Sequence, residues 1–254
     1  MCCGAVASQA TAGESVKVVV PENAPAVKTD AIAGAGAELV RVPPTLAARI
    51  AASNQIAQSR GYAEIPPFDD RRVIAGQGTI GLEIAEDRKD EPPAAVLVPV
   101  SGGGLISGIA AAVHALSPDT RIIGVEPELA ADARASLHSG TRVAWPTADV
   151  TRTMADSLRV EQVGELPFAH IREYVSDIVT VTDEEMLTTV RRLARQARLV
   201  AEPGGSVAVA AALFRSAAEL GTAEPGTGGG PLVAILSGGN IDPALLGDVL
   251  SYTG

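Results

Sequence analysis

The chain alternates short apolar runs with stretches of helical periodicity. Val16-Lys17-Val18-Val19-Val20 predicts a buried strand, closed by Pro21. Ala24 to Gly36 carries a helical pattern, Ala37 to Val42 predicts a second strand, and Leu46 to Ser59 a helix ended by Gly61. Two βα units with short connections predict a parallel sheet covered by helices. A break follows at Ile65-Pro66-Pro67-Phe68-Asp69-Asp70, where two prolines and two acids after a short strand predict a crossing between subdomains. Val73 to Ala85 then predicts a helix opening with Gly76-Gln77-Gly78, and Glu86 to Pro93 a solvated charged loop.

The clearest unit comes next: strand Ala94 to Val100, turn Ser101-Gly102-Gly103-Gly104, helix Leu105 to Leu116, and strand Arg121 to Val125. Ile178 to Val181 predicts another strand. Thr182-Asp183-Glu184-Glu185 is a capping-box sequence that opens a helix through about Leu199. Glu202-Pro203-Gly204-Gly205 leads into a helix from Ser206 to Leu220, Gly226 to Gly230 is a flexible loop, and Leu232 to Leu236 is the last strand.

Composition narrows the function. Hydrophobic residues make up 46% of the 254 and aromatics only 3%, so Ala, Val, Leu and Ile must build the core. The net charge of -10 gives no clustered basic surface to displace counterions, which argues against nucleic acid as a partner. No apolar run approaches the ~20 residues needed to span a bilayer. The start, Met1-Cys2-Cys3-Gly4, has no signal-peptide pattern, and its adjacent cysteines build no disulfide framework, so a reducing cytoplasm is the expectation. His114, His138 and His170 are scattered without metal-ligand spacing.

Ser101-Gly102-Gly103-Gly104-Leu105 sits where a strand turns into a helix. The first amides of a helix have no partner inside it, and the macrodipole favours an anion there. Glycines let backbone approach a phosphate closely. The alternative is a tight turn that merely packs strand on helix; the position directly after a buried strand favours the anion site. The spacing is neither GxGxxG nor a P-loop, so the phosphate belongs to something other than a dinucleotide or a Walker-type nucleotide.

Val98-Pro99-Val100-Ser101-Gly102-Gly103-Gly104-Leu105-Ile106-Ser107-Gly108 resembles the pyridoxal-phosphate (PLP) loop of threonine dehydratases and serine racemases. Three further stretches match that family in order: Val20 to Lys28; Pro67-Phe68-Asp69-Asp70 with Ile74 to Ile80; and Leu236-Ser237-Gly238-Gly239-Asn240. The resemblance covers the chain after about residue 14. It implies an α/β protein, a fold type II PLP enzyme with two parallel-sheet αβα subdomains and an incomplete N-terminal part. Residues 1–66 would be the remainder of the small subdomain and 67–254 the large PLP-binding one.

By that resemblance, Ser101, Gly102, Gly103, Gly104 and Leu105 hold the phosphate, and Ser237 faces the pyridine nitrogen. A serine hydrogen-bonds there without keeping the nitrogen protonated, which makes a weaker electron sink suited to β-elimination. Taken alone, Ser237 also reads as a strand cap. Glu126, the Ala130 carbonyl and Asp132 resemble the divalent-cation site of the serine racemase branch, and would take Mg²⁺ or Ca²⁺; alone, the two acids also read as surface groups on a loop. Glu202 reads as an acid at a helix N-terminus. Ala155-Asp156-Ser157 departs from the family's Ala-Asp-Gly, so a Cβ is expected to crowd a turn near the pocket.

The family's Schiff-base lysine lies in a Ser-Phe-Lys-x-Arg-like motif, and no such motif occurs here. The three lysines are Lys17 in the first strand, Lys28 at the family's non-catalytic helix lysine, and Lys89 in a charged loop. The missing stretch is on the order of 80 residues, comparable to a small domain. The expectation is a threonine/serine dehydratase-like ammonia-lyase in a truncated form, with no catalytic residue of its own for the cofactor. The alternatives are a serine racemase-like enzyme and a non-catalytic PLP- or phosphate-binding protein. The substrate would be a small amino acid, and the intact family member a homo-oligomer.

Overall fold

A computed structural model describes residues 16–223 and 230–252. The Cys2-Cys3 start and nearly all of the Gly226–Gly230 loop lie outside the described residues. Strand β1 (Lys17–Pro21), helix α1 (Ala26–Gly34) and strand β2 (Glu38–Val42) form a βαβ unit whose strands pair in parallel, Val18 opposite Leu39. Val18, Val20 and Ile32 make its small core. Helix α2 (Leu46–Arg60) follows, capped by Thr45 and closed by Gly61 at φ 69°.

Residues 62–66 are irregular, so the short strand expected before Pro66 is absent. Pro66 and Pro67 lack the N–H groups that a ladder needs, which accounts for the difference. Helix α3 (Arg71–Asp87) then leads into a second sheet of four parallel strands: β3 (Ala95–Pro99), β4 (Arg121–Pro127), β5 (Asp177–Val181) and β6 (Leu232–Ala234), in the order β5-β4-β3-β6. The helices of this part are α4 (Gly104–Leu116), α5 (Asp132–Ser139), α6 (Thr147–Val150), α7 (Glu165–Tyr174), α8 (Asp183–Arg192), α9 (Pro203–Phe214), α10 (Ala217–Leu220) and α11 (Pro243–Ser251).

β3 is buried at every residue, and its side chains alternate between two cores. Val96 and Val98 pack with Ile106 and Ile109 of α4 and Phe168 and Ile171 of α7. Ala95 and Leu97 pack with Met186 of α8 and Val207, Ala208 and Ala211 of α9. Among the described residues no helix is long and apolar enough to cross a membrane.

The helix expected from Ser206 to Leu220 is two helices. It starts three residues early at Pro203, stops at Phe214, and restarts because Ser216 and Glu219 form a reciprocal capping box. α8 is shorter than expected, widening into a π-turn over Leu193–Ala197. β6 pairs over three residues, not five; Ile235 still donates to the Leu97 carbonyl, then Leu236 turns outward. The pattern does not foretell α5, α7 or α11. α7 carries Pro167 in its first turn, a position where proline costs little but masks the helical signal.

α3 and α4 cross with almost no side chain between them. A Cβ on Gly81 would lie 2.8 Å from the Ala112 Cβ, and one on Gly108 only 2.3 Å from the Ile74 carbonyl oxygen. Gly76, on the exposed side of α3, has nothing within 4 Å. Gly108→Ala should therefore destabilise by roughly 1–3 kcal/mol through backbone displacement. Gly76→Ala should stabilise by roughly 0.5–1 kcal/mol through propensity alone. Urea denaturation of the two variants checks the opposite signs.

Candidate functional site

In an open parallel sheet, ligands bind outside the carboxyl ends of the strands where successive crossovers diverge. From β3 the chain moves through α4 to β4 and on to β5, whereas β6 returns on the other side of β3. The divergence lies between β3 and β6. Leu97 is opposite Ala234, so three residues further on Val100 and Ser237 come abreast. The turn at Ser101–Leu105 and Ser237 thus leave the sheet side by side, at the crevice that topology favours.

The turn is built by close packing. Gly103 has φ 91°, a left-handed conformation that suits glycine, and a Cβ there would also meet Pro167 at 2.7 Å. A Cβ on Gly102 would lie 2.1 Å from the Phe68 ring, and one on Gly104 lies 2.9 Å from the Phe68 Cα. So the glycine pattern answers to packing as well as to backbone approach. Gly102, Gly103 and Gly104 are buried, Ser101 and Leu105 half-buried, and α4 starts at Gly104, so its first amides lie just past the end of β3.

Phe68 is placed by its neighbours. The Asp69 carboxylate accepts from the Glu165 and Leu166 amides (2.8 and 3.0 Å) at the start of α7. Asp70 caps α3, accepting from the Arg72 and Val73 amides. The Arg72 side chain and those amides hold the Asp70 carboxyl down at about 2. Pro67-Phe68-Asp69-Asp70 is therefore a fastener joining α3, α7 and the glycine turn.

Beside this turn, a cavity of about 330 Å³ is lined by Ser237, Gly238, Gly239 and Asn240 and by residues of both sheets' helices and loops. Ser101–Leu105 lie outside that lining; Ser237 lies within it. The Ser237 amide donates to the Gly205 carbonyl (3.2 Å), which moors the turn to α9. Ser157 also lines the cavity and is buried, and its Oγ stands 2.1 Å from where a Gly204 Cβ would be. Its backbone φ is not positive, so the crowding expected of Ala155-Asp156-Ser157 is taken up by glycine at 204 without backbone strain.

Lys28 reaches into the same cavity from α1. Its Nζ stands 2.6 Å from Asp156 Oδ2 and 2.9 Å from Glu202 Oε2, with the lysine side chain only 13% exposed. Burial works against the ammonium, but the Asp156 hydrogen bond and the Glu202 charge outweigh it and raise the Lys28 pKa. Glu202 stands at the N-terminus of α9, as expected, but its carboxylate makes no capping hydrogen bond there. Its Oε2 is shut away from solvent and meets Lys28 off the axis of a regular hydrogen bond. Lys28, Asp156 and Glu202 are far apart in sequence, and no local pattern links them.

Glu126 and Asp132 are not surface acids: they are 0% and 1% exposed at the end of β4 and the start of α5. The Ala133 and Arg134 amides donate to Glu126 (3.1 and 2.8 Å), and the Val163 amide donates to Asp132 (2.7 Å). Burial raises both carboxyls, and Glu126 rises further because Asp132 is beside it. Ala130, 1% exposed, lies between them in the chain. Among the described residues no three His, Cys, Asp or Glu side chains converge as a metal site.

A family model for pyridoxal-phosphate dependent enzymes matches residues 2–238. The chain is 40% identical over 225 residues to the L-threo-3-hydroxyaspartate ammonia-lyase of Saccharomyces cerevisiae, covering 89% of this chain and 65% of that protein. It is 38% identical over 249 residues to the catabolic L-threonine dehydratase of Escherichia coli, covering 98% and 72%. The structure of maize serine racemase superposes with a TM-score of 0.81 at 30% identity, covering 93% and 69%. The chain thus spans about two thirds of the length of these three relatives. The family model over residues 2–238 and these relatives place the chain in the pyridoxal-phosphate dependent enzymes of fold type II, among the threonine dehydratases and serine racemases.

Proposed function

We propose that this chain is the cofactor-cradling part of a threonine/serine dehydratase-like ammonia-lyase, and that residues 1–254 alone bind PLP without turning over an amino acid. The observation that carries it is the pairing of β3 with β6, which brings an amide-rich helix end and Ser237 to one crevice beside a 330 Å³ cavity. That volume lies at the lower end of small-ligand pockets, about 300–1,000 Å³. The residues present fit the cofactor's polar ends: an anion at the amide end of α4, and a neutral ring nitrogen at Ser237.

In this reading the division at residues 66 and 67 separates the two subdomains. The amides of Ser101, Gly102, Gly103, Gly104 and Leu105 hold the phosphate, drawing on orphan N–H groups and the α4 dipole. The Ser237 hydroxyl orients the ring through its nitrogen. When bound, PLP supplies an electron sink for breaking bonds at an amino acid's α-carbon. A lysine amine is needed to hold it covalently and to move protons there. Lys17 and Lys28 are ion-paired and Lys89 is exposed, so none matches that role.

Glu126, the Ala130 carbonyl and Asp132 suit a hard divalent cation, Mg²⁺ or Ca²⁺, completed by water. Two adjacent buried carboxylates, with no lysine or arginine ion pair among the described residues, cost several kcal/mol when both are charged, and a cation offsets that as a proton does. The same pair favours a second reading, a serine racemase-like enzyme, because its resemblance is to that branch. An amino acid is the substrate class in either case.

Equilibrium dialysis of the purified chain should show PLP bound. Its spectrum should lack the visible band of lysine-linked cofactor, and no ammonia should be released from L-threonine or L-serine. Absence of any binding refutes the cradle, and turnover at the relatives' rates refutes the claim that the amine is missing. Separately, Mg²⁺ or Ca²⁺ at about 100 times its Kd should stabilise the chain by ~2.7 kcal/mol in thermal unfolding. Asp132→Asn should abolish that shift. An equal shift in the variant, or none in the parent, removes the cation site.

A further inference from the structure

We propose that Lys28 is a positioning residue. Its ammonium, shared by Asp156 and Glu202, latches α1 to the larger sheet's half of the molecule and fixes the Ser237–Asn240 turn through Glu202. The three charges come from three separate places: α1, the short 3₁₀ turn Asp156–Leu158, and the residue preceding α9. The carboxylate side chains of Asp156 and Glu202 are 19% and 9% exposed. Once desolvated they need a cation, and removing one partner of such a group leaves the other charges buried and unpaired.

Glu202 transmits the constraint. Its amide donates to the Gly238 carbonyl (3.1 Å), and a Cβ on Gly238 would stand 2.6 Å from its Oε1. The carboxylate therefore lies against the turn that carries Ser237 and lines the cavity. Lys28 draws Glu202 toward α1. Without it, Glu202 must turn to solvent, and the turn resting on it loses its support.

The latch has a chemical consequence. An ammonium has no lone pair, so Lys28 does not add to an aldehyde while both carboxylates hold it. Freed of them, the ammonium gives a proton to water more readily, the Nζ lone pair so exposed adds to the carbon of an aldehyde, water leaves, and borohydride delivers hydride to the resulting C=N bond. Arg49 and Arg159 also line the cavity.

Amide hydrogen exchange on the ligand-free chain tests the latch. Lys28→Met should speed exchange about tenfold or more over 26–34 and 237–240 and leave β3 unchanged. Lys28→Arg, which keeps the charge, should recover most of the protection. If Lys28→Met unfolds the chain, the uncharged K28M/D156N/E202Q variant serves instead, with the same loosening expected. A second arm uses pyridoxine 5′-phosphate, which has no aldehyde: its affinity should fall about tenfold in Lys28→Met. That arm rests on the cofactor reading above. If the parent chain binds none of it, that reading fails while the exchange comparison still decides the latch. In a third arm, D156N/E202Q treated with PLP and borohydride should be labelled at Lys28 at least tenfold faster than the parent. Unchanged exchange at 237–240 in Lys28→Met, or equal labelling of parent and D156N/E202Q, overturns the proposal.

Discussion

A strand buried on both faces, with neighbours on both edges, cannot bend away from its place, and β3 is that strand here. Val96 and Val98 commit it to one core, Ala95 and Leu97 to the other. Its carbonyls and amides are spoken for by β4 and β6. The end of β3 is therefore a firmly held point from which the chain can present a group to a ligand. It presents backbone: a glycine turn whose amides gain their polarity from α4. The crossovers diverge at the same point, where topology favours a crevice. Position and polarity follow from one arrangement.

The rest of the site is fastened to that point by acids. Asp69 and Asp70 tie α7 and α3 to the turn, and Phe68 beside them is pressed on Gly102 and Gly104. Glu126 holds the first amides of α5, and Asp132 holds the amide of Val163, which leads back to Pro167 and the turn. Glu202 supports the neighbouring Ser237 turn. With a formal charge of -10 the chain has carboxylates to spare, and several serve to receive backbone amides. An amide donor satisfies one lone pair without neutralising the charge. Two buried acids that fall together need a proton or a cation: burial raises the Glu126 and Asp132 carboxyls toward the protonated form, and Lys28 stands between Asp156 and Glu202.

The sequence makes some of this legible and hides the rest for physical reasons. β3, its turn and α4 are plain because a two-sided strand is a continuous apolar run and a helix end without a side-chain cap asks for glycine. Ser237 is found through the motif around it. The split between α9 and α10 is hidden because Ala-rich helix continues in pattern across Arg215, and the Ser216–Glu219 cap that restarts it is local. The buried state of Glu126 and Asp132 stays open in the sequence, since an acid beside Pro127 and Glu128 looks solvated until the chain is folded. The role of Lys28 is invisible there as well, because its partners lie 128 and 174 residues away, beyond any periodicity.

The glycines separate two demands that a sequence pattern merges. Gly103 is constrained by conformation, at φ 91°, where a side chain is strained whatever the space. Gly102, Gly104, Gly108 and Gly205 are constrained by room: a Cβ would meet Phe68, Ile74 or Gly238 atoms. Two positions where the resemblance implies glycine carry serine, Ser101 and Ser157. Arg198 is the one non-glycine with positive φ among the described residues, so both serines occupy ordinary backbone. At 157 the neighbouring Gly204 supplies the room. The departures thus fall where neither demand applies, and the glycine at the helix entrance, where the first applies in full, is kept. The turn keeps glycine where the dihedral or a close neighbour demands it, at 102, 103 and 104, and carries a side chain at 101, where the backbone is ordinary.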